Sequence, residues 1–545
     1  MKGTEIDLPR VEIYDTTLRD GNQGEGISLS AKDKVKIALR LDELGFHYIE
    51  GGWPGSNPKD LRFFELIREH QLKNAHICAF GSTRKSGVAA DRDENLQQII
   101  RSNVQVATIF GKTWDFHVRH ALLTTLEDNL QMIEESVAYL KQQGMEVFYD
   151  AEHFFDGFAA NPEYSLATLQ AAEKGGAARI ILCDTNGGRL PNEIFDMVSA
   201  VKESLDVPLG VHCHNDGELA VANSLAAVQA GAIQVQGTIN GYGERCGNAN
   251  LCSIIPNLAF KCQLPSIPEQ SLAELTELSR FVSELANMHP MNNQPYVGGS
   301  AFAHKAGVHV NALLKNPHTY EHVEPEMVGN RRRVLVSDQS GLSNLLYKYQ
   351  ELDLGLGLDK EANRRLLEEL KELENQGYQF EGAEGSFELR LRKAFHGYQE
   401  PFSLENLKIL IEVRDGTVYS EAIIKINVNG QVVHTAAEGN GPVNALDNAL
   451  RKALEGFYPE ISGMQLNDYK VRVLDEKDGT GAVVRVLVET GDGHCSWGTV
   501  GVSPNIIEAS WEALVDSIAY GLLRQENKDD IDTQKIITGV FRGKC

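Results

Sequence analysis

The chain has 545 residues, too many for one core and enough for three or four domains. Its composition, 42% hydrophobic and 23% charged, is that of a globular protein. A net charge of −24 argues against nucleic acid or an anionic membrane as partner, but leaves room for a small anionic substrate at a local cationic site.

No run of eighteen apolar residues predicts a membrane span. Residues 1–7 lack the apolar core of a signal peptide. The eight cysteines show no Cys-x-x-Cys spacing, so unbridged thiols in a reducing cytoplasm are expected.

The first strand is expected at 11–14, leading into Asp15-Thr16-Thr17-Leu18-Arg19-Asp20-Gly21. Seven more short apolar, β-rich runs follow at 47–50, 75–80, 104–110, 146–150, 179–184, 208–214 and 233–240. The segments 31–44, 126–143 and 218–230 between them have helical periodicity. Strands alternating with helices pair in parallel through right-handed crossovers, and eight such units over about 250 residues have the length of a (β/α)8 TIM barrel. An open doubly wound sheet is the alternative, but no Gly-x-Gly-x-x-Gly loop follows the first strand.

Beyond the barrel, a helix is expected at 272–287, then a glycine-punctuated stretch ending Lys305-Ala306-Gly307-Val308-His309. The charged run 360–375 reads as a helix with a solvated face. An internal repeat closes the chain: strand-like 422–428 and 432–437 lead through Gly439-Asn440-Gly441-Pro442 to a helix, and 482–489 and 495–500 lead through Gly501-Val502-Ser503-Pro504 to another. Proline at these points suits a first helical turn. The expected domains are a catalytic barrel over 8–275, linker subdomains over 276–400, and an α+β regulatory and dimerisation domain over 401–530.

The chemistry concentrates at predicted strand ends, which in a barrel face one mouth. Residues two apart on a strand share a face, so His212 and His214 can aim two imidazoles at one point while Cys213 faces away. Strands one and seven are separated only by strand eight, so Asp20 can join them. Two histidines and a carboxylate suit a divalent ion with positions open for substrate. The competing reading is two buried, hydrogen-bonded histidines, with Arg19 and Asp20 as a structural ion pair. Asp15 could orient Arg19 or a ligand from behind.

Four motifs, Thr17-Leu18-Arg19-Asp20-Gly21-Asn22-Gln23, His212-Cys213-His214-Asn215-Asp216, Gly243-Glu244-Arg245-Cys246-Gly247-Asn248 and Gly307-Val308-His309, together resemble the isopropylmalate, homocitrate and citramalate synthase family of metal-dependent barrel enzymes. The likeness covers nearly the whole chain, and Glu50-Gly51-Gly52-Trp53-Pro54-Gly55 is similar to the citramalate synthase branch. The resemblance implies Asp20, His212 and His214 as ligands of a divalent metal (Mn, Mg, Co or Zn), with Asn248 a further ligand or close neighbour. It implies Arg19 polarising a keto oxygen, Glu152 and His309 as the other catalytic groups, and Thr185, Gln23, Asp150 and Tyr320 binding substrate. One departure stands at strand five: where the sister branches tend to read Ser-x-Glu-Asp, this chain has Asp150-Ala151-Glu152-His153.

The implied reaction joins acetyl-CoA to pyruvate, giving citramalate and CoA for isoleucine synthesis, with 2-isopropylmalate synthesis from 2-oxoisovalerate as the alternative. A homodimer, isoleucine as feedback inhibitor, and a linker carrying His309 over a partner's barrel are further implications. A lyase running the reverse bond change is disfavoured by the repeat domain after residue 400, and a retired amino-acid sensor by the intact Asp20, His212 and His214 set.

Overall fold

The computed structural model describes residues 11–337, 340–352, 354, 359–394, 398–474, 479 and 481–538, with side chains to residue 525. The expected domain start at residue 8 lies outside the described residues, as do residues 1–7. One compact unit runs to Phe302 and takes in Glu321–Arg332; a second comprises Ala303–Tyr320 and the chain from Arg333 onward.

In the first unit, strands β1 (Glu12–Asp15), β2 (Tyr48–Gly52), β3 (His76–Ser82), β4 (Val106–Lys112), β5 (Glu146–Glu152), β6 (Arg179–Asp184), β7 (Leu209–Cys213) and β8 (Gln234–Gly237) form a closed barrel in chain order. All neighbours are parallel, and β8 closes onto β1 with Tyr14 opposite Gln236. Each of the eight predicted runs carries one strand. The open doubly wound alternative is thereby removed.

Local chemistry sets the order of the elements. Helix Ala31–Glu43 starts at Ser30, whose hydroxyl accepts from the Asp33 N–H while the Asp33 carboxylate accepts from the Ser30 N–H. Its inner face, Lys34, Val35, Ala38, Leu41 and Asp42, follows helical spacing and is buried. Asp42 then accepts from the N–H groups of Lys73, Asn74 and Ala75, fastening the entry to β3. Gly52 closes β2 at φ +148°, and a Cβ there would lie 2.4 Å from Asp60. Only glycine fits that turn.

The barrel's lower interior is filled by Tyr14, Tyr48, Cys78, Val106 and Phe148, with Tyr48 and Phe148 edge to face at 5.0 Å. This plug separates the polar groups at the strands' C-terminal ends, where the site lies, from a cluster of Glu12, Arg179 and Gln234 at their N-terminal ends.

The second unit holds two sub-structures that matter here. Short strands β9 (Ala303–His304) and β10 (Arg333–Val334) pair in parallel beside helix Gly307–Lys315. Each sequence repeat is a three-stranded antiparallel sheet followed by a helix: β11 (Ser403–Arg414), β12 (Thr417–Val428), β13 (Gln431–Gly439) and helix Pro442–Leu454; then β14 (Gln465–Val473), β15 (Val484–Gly491), β16 (Ser496–Ser503) and helix Ile506–Thr538. The first strand of each half, unforeseen in the sequence, is the most exposed one. One core joins the two halves, with Ile424, Leu446, Val486, Trp497 and Leu514 all buried in it. Among the described residues no helix is long and apolar enough to cross a membrane.

Candidate active site

The C-terminal ends of the barrel strands surround a cavity of about 210 Å³. One side is polar: Arg19, Asp20, Gln23, Asp150, Glu152, Thr185, His212 and His214. The aromatic wall is Trp53, Phe80 and Phe110, and Cys183 lies on β6 beside His212. The structure therefore brings together the barrel residues assigned to catalysis, metal and substrate; Asn248 stands directly behind, its side-chain N–H donating to Asp20 Oδ1 at 3.1 Å, and Asp15 does not line the cavity.

Two motifs are stitched to each other to build the ligand face. His212 is inside β7, and His214, just past its end, bridges to Asn248. Asn215 N–H donates to the Gly247 carbonyl at 2.9 Å, and Arg245 makes a two-pronged contact with Asp216, at 2.8 and 2.9 Å. On the other flank, Ile239 N–H donates to the Thr17 hydroxyl at 2.8 Å, tying the β8 exit to the loop that carries Arg19 and Asp20.

Ligand atoms of Asp20, His212 and His214 lie within 4.8 Å of one another, all three side chains buried. Two further observations fit a cation. His214 Nδ1 and Asn248 Oδ1 are buried with no hydrogen-bond partner among the described residues. Orphaned acceptors of this kind are costly unless something is to be bound. The donor set of one carboxylate, two imidazoles and a free amide oxygen suits a hard or borderline divalent ion.

The electrostatics agree. Burial would raise the Asp20 carboxyl, but Arg19 and the two imidazoles outweigh it and hold it ionised, well below the usual range. Burial, with His212 alongside, brings His214 down to about 4, so it stays a neutral donor at pH 7. Asp150 is pushed the other way: burial, then Glu50 and Asp20, keep its carboxyl protonated well above the ordinary value.

Arg19 is held from three sides. Its Nε donates to Glu50 Oε2 at 2.5 Å, its Nη1 to Asp20 Oδ2 at 3.0 Å, and its guanidinium lies 3.8 Å over the Phe80 ring. Glu50 is fully buried and also accepts from Tyr14 at 2.7 Å and from Thr16. The Arg19–Asp20 ion pair thus exists, yet both members face the cavity. Asp15 does not orient Arg19: its carboxylate accepts from Thr17 N–H and hydroxyl, while Glu50 of β2 does that work. Proximity in sequence suggested the wrong carboxylate; the barrel sets β2, not β1, beside the Arg19 side chain.

Glu152 pairs with Lys112 at the end of β4, and the Thr185 hydroxyl accepts from His153 N–H at 2.9 Å. His309 and Tyr320 belong to the second unit, their rings 4.3 Å apart, both exposed. Sequence reasoning noted Glu50 and Trp53 only as part of the strand-two motif, without a role, and missed Lys112, Gln236, Phe80 and Phe110. The available signal was a single charged or aromatic residue at the mouth-facing end of an apolar strand.

Comparison with known proteins places the chain. The HMGL-like family matches residues 10–282, the homocitrate synthase post-HMGL domain 296–378, and the LeuA allosteric (dimerisation) domain 381–522. The (R)-citramalate synthase of Geobacter sulfurreducens is 56% identical over 95% of this chain and 98% of its own length. That of Aquifex aeolicus is 54% identical over 95% and 99%. A 2-isopropylmalate synthase of Methanocaldococcus jannaschii is 30% identical over 96% of each chain. The chain belongs to the citramalate synthase branch of the isopropylmalate, homocitrate and citramalate synthase family.

Proposed function

We propose that this chain is a divalent-metal-dependent acyltransferase that condenses acetyl-CoA with pyruvate and releases (R)-citramalate and CoA. The observation that carries the reading is the convergence of Asp20, His212 and His214 beside Arg19 at the mouth of the barrel, in a chain end-to-end similar to (R)-citramalate synthases.

Asp20, His212, His214 and the Asn248 amide oxygen would hold the ion. Bound there, it supplies Lewis-acid polarisation of a chelating 2-keto acid. Arg19 donates toward the keto oxygen, where negative charge develops as carbon attacks carbon; its fixed guanidinium needs no reorganisation at that moment. The Thr185 hydroxyl and Gln23 amide orient the carboxylate, with Asp150 in the same cavity wall; Tyr320 is a substrate-binding residue on the family resemblance alone. His309, the base that the family resemblance implies, takes the proton from the acetyl methyl directly or through a relay, with Glu152 lining the keto-acid pocket. Water then cleaves the citramalyl thioester, giving citramalate and CoA.

The aromatic wall favours pyruvate. Phe80 and Phe110 stack at 5.5 Å, and Trp53 meets each edge-on at 5.7 Å, so the side that would take the keto acid's alkyl group is filled. A methyl is admitted more readily than an isopropyl group. The direct test is CoA release across a panel of 2-keto acids, with and without chelator. Pyruvate should lead and chelator should abolish turnover; preference for 2-oxoisovalerate would make the chain a 2-isopropylmalate synthase.

The LeuA allosteric (dimerisation) domain supports a homodimer under allosteric control; isoleucine, whose synthesis citramalate feeds, is the proposed feedback inhibitor. The buried, unbridged thiols of Cys78, Cys183, Cys213 and Cys252 fit a cytoplasmic enzyme.

A further inference from the structure

We propose that Gln236 is the positioning residue of the metal centre: it fixes which nitrogen of His212 faces the cavity, and is itself aligned by Asp150. The inference rests on the reading that Asp20, His212 and His214 hold a divalent ion.

Gln236 is fully buried inside the barrel on β8, register partner of His212 on β7. An apolar side chain would pack there at lower cost, so the amide's presence is explained only by what it bonds. Its Oε1 lies 2.9 Å from His212 Nδ1, and its Nε2 donates to Asp150 Oδ1 at 3.3 Å. An amide oxygen only accepts, so in this orientation Nδ1 carries the imidazole proton and Nε2 keeps its lone pair. Nε2 is the nitrogen turned to Asp20, 3.6 Å from Oδ2.

Turning the amide over would set its NH2 against Nδ1, drive the proton to Nε2 and close that nitrogen to a cation. In the arrangement present, Asp150 Oδ1 accepts from the NH2 end and so holds the amide oxygen toward His212. Because Asp150 also lines the cavity, the chain Asp150–Gln236–His212 joins the keto-acid wall to a ligand by two hydrogen bonds.

The test is calorimetric titration of the full-length, chelator-stripped protein with Mn2+. Gln236→Leu should weaken binding by about 10–100-fold, the usual effect of losing a hydrogen bond behind a ligand. Gln236→Glu, which restores an acceptor for Nδ1–H, should bring affinity back toward that of the unaltered protein. Unchanged affinity in Gln236→Leu overturns the proposal. Should that variant not fold, two-bond 1H–15N spectra of the unaltered protein's imidazoles decide: an Nδ1–H tautomer at His212 is expected, and Nε2–H overturns it. A His212→Ala control separates the two ideas. If His212→Ala loses Mn2+ and Gln236→Leu does not, only this inference fails; if His212→Ala binds Mn2+ normally, the metal reading itself fails.

Discussion

At the scale of single residues, what the sequence disclosed was chemistry that repeats in the chain's own spacing. His212 and His214 were legible because a strand places alternate residues on one face. Glu50 was not, because its role depends on β2 lying beside β1, which no local pattern states. That buried carboxylate now makes a prediction. Glu50→Ala leaves a guanidinium that is 11% exposed with Asp20 as its remaining carboxylate and takes the acceptor from the Tyr14 and Thr16 hydroxyls, and urea unfolding should show a loss of roughly 3–5 kcal/mol. His212→Ala, by contrast, removes a ligand and leaves the packing; turnover should fall by orders of magnitude with an unchanged circular dichroism spectrum. The wall predicts a change of preference: Phe110→Ala should raise the 2-oxoisovalerate-to-pyruvate ratio of kcat/KM by about 10-fold, since one or two methylenes govern that choice. His214 sets a pH dependence. Its folded value of about 4 lies below the unfolded 6.5, so below pH 6.5 the unfolded chain binds the extra proton and stability falls. In metal-free protein, the unfolding free energy should drop by up to about 3 kcal/mol as pH goes from 6.5 toward 4, with melting temperatures falling in step, and His214→Gln should flatten that slope.

Elements were legible where both pattern and punctuation were strong. The eight barrel strands are largely buried on both faces, so most show as apolar runs, while β8 (Gln234-Val235-Gln236-Gly237) buries two amides; the helices between them start at caps such as Ser30, Asn57 and Thr125. Strands β11 and β14 escaped notice because almost every residue in them is exposed, and sequences such as Glu405-Asn406-Leu407-Lys408 carry no buried alternation. Pairing with β12 and β15, not side-chain burial, makes them strands. Element junctions carry their own risk. Asp42 accepts three backbone N–H groups at the entry to β3 and is 4% exposed. Asp42→Ala leaves all three unsatisfied, and should cost roughly 3 kcal/mol in denaturant unfolding without altering KM for either substrate.

At the scale of the whole molecule, the chain divides less cleanly than composition suggests. Helix Glu384–Ala394 stands before the expected regulatory boundary at 401, yet its Ser386 hydroxyl accepts from Val500 N–H and its Glu388 from Tyr520 at 2.9 Å. Phe387 and Leu391 share a core with Val500 and with Leu366 and Leu370 of the charged helix Lys360–Asn375, whose other face is solvated. Ending the chain at 400 would bare that core; ending it at 380 removes helix Glu384–Ala394 together with the sheets it packs on. A chain ended at 380 should therefore lose inhibition by isoleucine in the CoA-release assay, and retained inhibition would place the effector elsewhere. These larger questions all depend on one small one, the presence of a cation between β1 and β7. An anomalous difference map from crystals grown with Mn2+ and pyruvate tests it most directly. The account predicts one strong peak bonded to a carboxylate oxygen of Asp20 and to one nitrogen each of His212 and His214, with pyruvate's oxygens completing the shell. Mn2+ bound elsewhere, with Asp20 and His212 instead hydrogen-bonded to each other, would contradict it.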